Sequence, residues 1–298
     1  MDVEELLAMF LDSHASANHS LRTIDWYRCE VRRFFAWLRK ENLQNGNWLR
    51  TEIIERYLAA DRKLQRSPFT VGGHHRALKG FFAWLVDRKF IDRSPLDGIP
   101  KPKTPDHEPR RVALEDYVIL IDSIPSDDWI DLRDRLIVTT FFLCGIRRAE
   151  CAGLKAADYR TNHHLLLVHG KGDKDRLVPL LPAVERALVA YLFARPHWDD
   201  PRLFLAANGA GNPKGVLLSG GIYQMLRRRS RAAGLRNLNP HAFRHGLAMY
   251  LLNEGGDMSL VQKILGHSQI STTARHYAQW LTEGMMREFA EKMRGLGR

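Results

Sequence analysis

Cysteine is scarce in this chain, with three in 298 residues. Cys29, Cys144 and Cys151 are odd in number and include no Cys-x-x-Cys pair, which argues against a disulfide framework and for a reducing cytosol. No apolar run reaches membrane-spanning length, and the first ten residues, MDVEELLAMF, are acidic, unlike a secretory signal. A soluble cytoplasmic protein with no membrane partner is therefore expected. No glycine-rich nucleotide loop and no metal-ligand set stands out, so neither a cofactor nor a metal is expected. Low-complexity tracts and a solenoid period are also missing.

What is present is positive charge. Lys and Arg number 45 against 34 Asp and Glu, a net +11, and residues before and after position 100 both carry a basic excess. Such a balance favours a polyanionic partner, although ribosome-associated and membrane-surface proteins share it. The length allows two domains, each able to bury a core.

Apolar spacing predicts four helices in the first hundred residues. Leu6, Leu7 and Phe10 mark the first, and Ile24, Val31, Phe34 and Phe35 the second, behind a Ser20 cap. Ile53, Ile54, Tyr57 and Leu58 mark a shorter third, and Val71, Leu78, Phe81 and Phe82 the fourth. The stripe FFAWL occurs at 34–38 and again at 81–85, which reads as two similar helices packing in one core. Arg22, Arg32, Arg33, Arg76 and Lys79 interleave with these stripes and are expected to face outward. Prolines 95, 100, 102, 105 and 109 then stiffen a linker. The expected division is a helical domain over 1–100, a linker over 101–110 and a second domain over 111–298.

That second domain reads as mainly α with a small β element. Strands are expected at 165–168 and 176–180 around a Gly/Lys/Asp turn, a helix over 184–192 and a loop near 207–215. Asn239 is placed to cap a helix opened by Pro240. Gly266 is placed to end the helix over 259–265. The final residues are amphipathic, with Met285, Met286, Phe289 and Met293 on one side.

The chemistry-bearing residues gather in this second part. Arg147 follows the apolar run LIVTTFFLCGI and a helix break at Gly145, and Glu150 is spaced to hold its guanidinium. Taken alone, an exposed arginine pair is ordinary solvated charge. Lys171 lies in the turn HGKGDKDR, where a lysine is either solubilising or suited to protonating a leaving oxygen. His241, Arg244 and His245 share one helix face in HAFRH. The two histidines at that spacing also suit a zinc pair, although no Glu of the HExxH kind and no third ligand accompanies them. His267 follows Gly266 in LGHSQISTT, and Tyr277 lies further on in TTARHY. Two guanidiniums for phosphate oxygens, proton carriers and a phenol suit attack on a phosphodiester.

CGIRRAE, GKGDKDRLVPL, HAFRH, LGHSQISTT and the later tyrosine, in that order, resemble the tyrosine recombinase (phage integrase) family over nearly the full chain. The resemblance implies a helical core-binding domain and a catalytic domain forming a C-shaped clamp on duplex DNA. It implies site-specific recombination through a 3′-phosphotyrosine and a Holliday junction, by four copies on two DNA sites, with accessory proteins possible and no cofactor or metal needed. Arg147, Lys171, His241, Arg244 and His267 take the family's catalytic positions, with Lys171 as general acid, Tyr277 as nucleophile, and Lys174 and Arg176 as phosphate contacts. Cys144, Ala149 and Cys151 depart from the usual Thr, Ser and Leu, which inclines the reading toward a mobile-element enzyme. With no extra amino-terminal arm-binding domain, the chain is similar to compact Xer-like, integron or transposon recombinases. Many members place the nucleophile one residue earlier, at the position of His276, a rotation of about 100° on a helix. Tyr223 and Tyr250 lack the TTxxxY context, and Tyr250 has the surroundings of a core residue. A type IB topoisomerase-like enzyme and a non-catalytic DNA-binding protein are the rival readings.

Overall fold

The computed structural model describes residues 2–43, 47–103, 110–170, 175–255 and 257–266. Lys171, Lys174, His267, His276, Tyr277 and the amphipathic tail lie outside the described residues. The chain divides into two compact units, Met1–His107 and Glu108–Arg298.

The first unit is built from α1 (Val3–Ser16), α2 (Leu21–Lys40), α3 (Thr51–Lys63) and α4 (Pro68–Asp87). Ser20 and Ser67 each stand just before a helix and accept from the backbone N–H of Thr23 and Thr70 at 3.2 Å, which satisfies donors the first turn leaves open. The two FFAWL stripes meet in the core. Phe34 packs on Phe82 and Phe35 on Phe81, with ring centroids 6.2 and 5.7 Å apart in edge-on geometry. Arg22, Arg32, Arg33, Arg76 and Lys79 are all exposed, as their interleaving with the stripes predicts. One buried polar knot ties three helices together: His74 of α4 lies between Asp61 of α3 and Glu30 of α2.

The second unit begins with α5 (Leu114–Ser123), α6 (Trp129–Cys144) and α7 (Arg148–Gly153). A three-stranded antiparallel sheet follows, with β1 (Tyr159–Arg160), β2 (Leu165–Val168) and β3 (Arg176–Pro179) in that order and Leu166 opposite Val178. Then come α8 (Pro182–Ala194), β4 (Leu205–Ala207), β5 (Pro213–Val216), α9 (Ser219–Ala232), α10 (Pro240–Asn253) and α11 (Met258–Leu265). The apolar run of α6 supplies the centre of the core: Leu136, Ile137, Val138 and Phe141 are fully buried, and α8 and α10 pack against this helix. Two charged residues lie inside it as well. Arg133 donates from Nε and Nη2 to Asp134 Oδ1 at 2.9 and 2.6 Å, and Arg229 of α9 reaches the other oxygen of Asp134 at 2.9 Å. A buried carboxylate without such partners would be strongly destabilising.

The expected loop near 207–215 is corrected by the structure. β4 and β5 pair antiparallel, and Asn208 Oδ1 accepts from the backbone of Ala210 and Asn212 to form the turn between them. Pro213 and Gly215 disguise the second strand, since both disfavour a sheet interior. Asn239 does cap α10, accepting from the Ala242 N–H at 3.0 Å. Beyond the cap, Gly246 lets α10 meet the segment at Val112, whose N–H donates to the Ala242 carbonyl at 2.9 Å.

Candidate active site

Two helices end in left-handed glycines, and the site is assembled around those two turns. Gly145 ends α6 with φ +58°, and Gly266 ends α11 with φ +64°, a conformation glycine adopts without steric cost. A Cβ on Gly145 would lie 2.7 Å from Leu265 and 2.8 Å from Leu247, so the bare turn also lets α6 approach α10 and α11.

The C-terminal carbonyls of α11 face three arginines from other parts of the unit. Arg244 of α10, only 5 % exposed, donates to the Gly145 carbonyl at 2.7 Å and to the Leu265 carbonyl. Arg147 donates to the Gly266 carbonyl at 3.1 Å. Arg176 of β3 donates from Nε to the Ile264 carbonyl at 3.0 Å. Cations at a helix C-terminus offset its negative end and satisfy carbonyls that have no partner within the helix. The structure thus brings Arg147 and Arg244 together at the turn that directly precedes His267.

Glu150 is the counter-charge. Its carboxylate accepts from the Arg147 backbone N–H and Nη1, both at 2.7 Å, and from both terminal nitrogens of Arg176 at 3.0 and 2.9 Å. Burial pushes this carboxyl up, but the bonds from Arg176 and Arg147 outweigh it and hold it down at about 2. The expected support of Arg147 by Glu150 is present. Arg176, however, is corrected: it was expected at the phosphate, yet its side chain is 10 % exposed and is bound to Glu150 and Ile264. Period-two patterning carried the signal, because Arg176 alternates in register with buried Val178 and Leu180. Arg147 differs, with 40 % of its side chain exposed beside the same carboxylate.

His241, in the first turn of α10, opens toward solvent. Partial burial of its ring, followed by the positive field of Arg244, Arg148 and Arg147, holds it below the ordinary histidine range. It is therefore neutral at physiological pH and able to accept a proton. Arg148 stacks over Tyr223 of α9, 5.5 Å from the ring centroid, a neighbour that sequence reasoning missed. Tyr250 is a further correction, since it is exposed rather than part of the core. His245 is half-buried on α10. Cys144 and Cys151, the departures flanking Arg147, are fully buried, and burial pushes the Cys144 thiol up to about 12. Both act as small apolar groups that fill the core behind the arginine turn. Among the described residues, no group of three or more His, Cys, Asp or Glu side chains is arranged to hold a metal ion.

Residues 110–283 match the phage integrase family and residues 10–89 the N-terminal SAM-like domain of phage integrases. The tyrosine recombinase XerC of Rhodospirillum centenum is 34% identical over 271 residues, covering 88% of this chain and 77% of its own. XerC of Pseudomonas aeruginosa is 30% identical over 261 residues, covering 85% and 83%. In fold, the chain is similar to the site-specific recombinase XerH bound to palindromic difH substrate, with a TM-score of 0.74 at 23% identity over 95% of this chain and 84% of that one. The chain belongs to the phage integrase family and is a tyrosine-type site-specific DNA recombinase.

Proposed function

We propose that this site grips one phosphodiester of a duplex recombination site and exchanges it for a protein-linked phosphate. The observation that carries the reading is the meeting of Arg147 and Arg244 at the Leu265–Gly266 turn, next in sequence to His267. Tyr277 attacks the phosphorus and the 5′-oxygen leaves with a proton from Lys171, giving a 3′-phosphotyrosine that conserves the bond energy. Arg147 and Arg244 stabilise the charge that builds on the non-bridging oxygens, where one lost donor costs on the order of 3 kcal/mol. His241, kept neutral by its surroundings, takes the phenol proton, and His267 donates to the same phosphate. The 5′-hydroxyl of a partner strand then reverses the attack, and two such rounds pass through a Holliday junction.

DNA is held by phosphate contacts from both units, and Arg227, Arg228 and Arg231, which border an open basic cleft on α9, supply part of them. Four copies assemble on two sites, with the tail after Trp280 of one copy docked on the next. The sequence departures at Cys144 and Cys151 support a mobile-element role over a housekeeping one. The decisive experiment is adduct trapping on a nicked duplex. Tyr277→Phe should bind normally and form no covalent complex, and peptide mapping of the wild-type adduct should place the phosphate on Tyr277. Label on a peptide lacking Tyr277 would falsify the nucleophile assignment. Relaxation of supercoiled DNA without paired sites would favour topoisomerase-like chemistry instead.

A further inference from the structure

A separate constellation lies where the β2–β3 ladder ends. Val168 and Arg176 are the last paired residues, and the next two, His169 and Asp175, meet across the opening of the connection that carries Lys171. His169 Nδ1 is 2.9 Å from Asp175 Oδ2, and its Nε2 is 3.2 Å from Asp158 Oδ1. An ionised carboxylate can only accept, so a ring bound through both nitrogens to two carboxylates donates from both and is an imidazolium. The two partners differ in kind. Asp158 is 7 % exposed and its other oxygen accepts from the Lys155 backbone N–H at 2.8 Å. Asp175 is 43 % exposed and belongs to the returning arm. The imidazolium therefore fastens the surface arm of the hairpin to a buried anchor in the body of the unit.

We infer that His169 is a positioning residue for the proton transfer assigned to Lys171: by bridging Asp158 and Asp175 it fixes the two arms between which Lys171 lies in sequence. The inference rests on the assignment of Lys171 as general acid. Among the described residues, Asp158 and Asp175 are the ionisable groups bonded to the ring. Their hydrogen bonds, Asp158 first and Asp175 second, hold the histidine above its ordinary range. The bridge is complete below that range and is lost as pH rises through the folded-state value.

Single-turnover cleavage of a nicked duplex at saturating full-length protein tests this with wild type, His169→Gln, Asp175→Asn and the double variant. Asp175 is exposed, so its substitution keeps the test open should His169→Gln fold poorly. Each single variant should bind DNA as wild type does and cleave about tenfold more slowly near pH 6, a fraction of what a general acid contributes. The double variant should be no slower than either single one, as expected for two ends of one bridge. The wild-type advantage should fade as pH rises. On a substrate with sulfur in place of the scissile 5′-oxygen, whose thiolate leaves without a proton, the variants should match wild type. A wild-type-to-variant ratio constant with pH, or a defect that persists on the sulfur substrate, overturns the inference. Lys171→Ala run alongside keeps the two readings apart. If sulfur restores Lys171→Ala but not His169→Gln, only the positioning role falls. If sulfur fails to restore Lys171→Ala, the acid assignment falls and the positioning role with it.

Discussion

Glu150 is the residue on which the arginine cluster depends, since one carboxylate serves both Arg147 and Arg176. Its pKa falls from the ordinary 4.5 to about 2 on folding, a depressed acid. It therefore contributes stability above pH 4.5, on the order of 3 kcal/mol at about 1.4 kcal/mol per unit, lost as pH falls from 4.5 toward 2. Glu150→Gln should lower the melting temperature at pH 7, and the gap to wild type should close across that acid window. A gap that does not depend on pH would remove the charge argument. The two expected catalytic arginines should also behave differently. Arg147→Ala removes a half-exposed guanidinium and leaves Glu150 its bonds to Arg176, so it should cost less stability than Arg244→Ala while cutting the cleavage rate by about a hundredfold, read as single-turnover rate against thermal stability. Arg244→Ala strips donors from two carbonyls at a buried position and should cost on the order of 1–3 kcal/mol of stability as well as activity. Equal stability of the two variants in urea would contradict this reading.

Among the secondary-structure elements, glycine positions separate close approach from mere tolerance. A Cβ on Gly246 would overlap the Val112 carbonyl oxygen, well inside van der Waals contact, so α10 rests on backbone there. Gly246→Ala should destabilise the second unit by several kcal/mol, as overpacking against an atom that cannot swing aside. Gly73, inside α4, has open space at that position, and Gly73→Ala should stabilise by about 0.5–1 kcal/mol through helix propensity alone. Denaturant unfolding of the pair checks both, and opposite signs are expected. The same elements explain what could be read from sequence. The helices of the first unit were legible because Phe34, Phe35, Phe81 and Phe82 repeat at helical spacing, and the ends of α6 and α11 because Gly145 and Gly266 punctuate them. The β4–β5 pair was hidden because Pro213 and Gly215 break the usual strand composition, and the strands are short. The burial of Arg176 is hard to read because a charge in the lysine-rich motif GKGDKDR outweighs the two-residue alternation that turns it inward. The meeting of Arg244 with Gly145 was inaccessible in another way: it joins distant stretches of chain, and no local pattern encodes it.

For the whole molecule, the excess charge of +11 sets the terms of association. Affinity for a specific duplex should fall steeply with salt, the logarithm of the binding constant declining by roughly 0.9 for each phosphate neutralised per tenfold rise in salt. Fluorescence anisotropy from low to physiological ionic strength measures that slope, and a flat line would leave the phosphate-contact account without support. Ile264, Leu265 and Gly266 are moored to Arg176, Arg244 and Arg147, and those side chains are fixed in turn to Gly145 and Glu150. Tolerance to insertions is therefore one-directional. A residue gained or lost upstream of the mooring pulls the arginines out of register. One gained downstream of Gly266 leaves the guanidiniums where they stand.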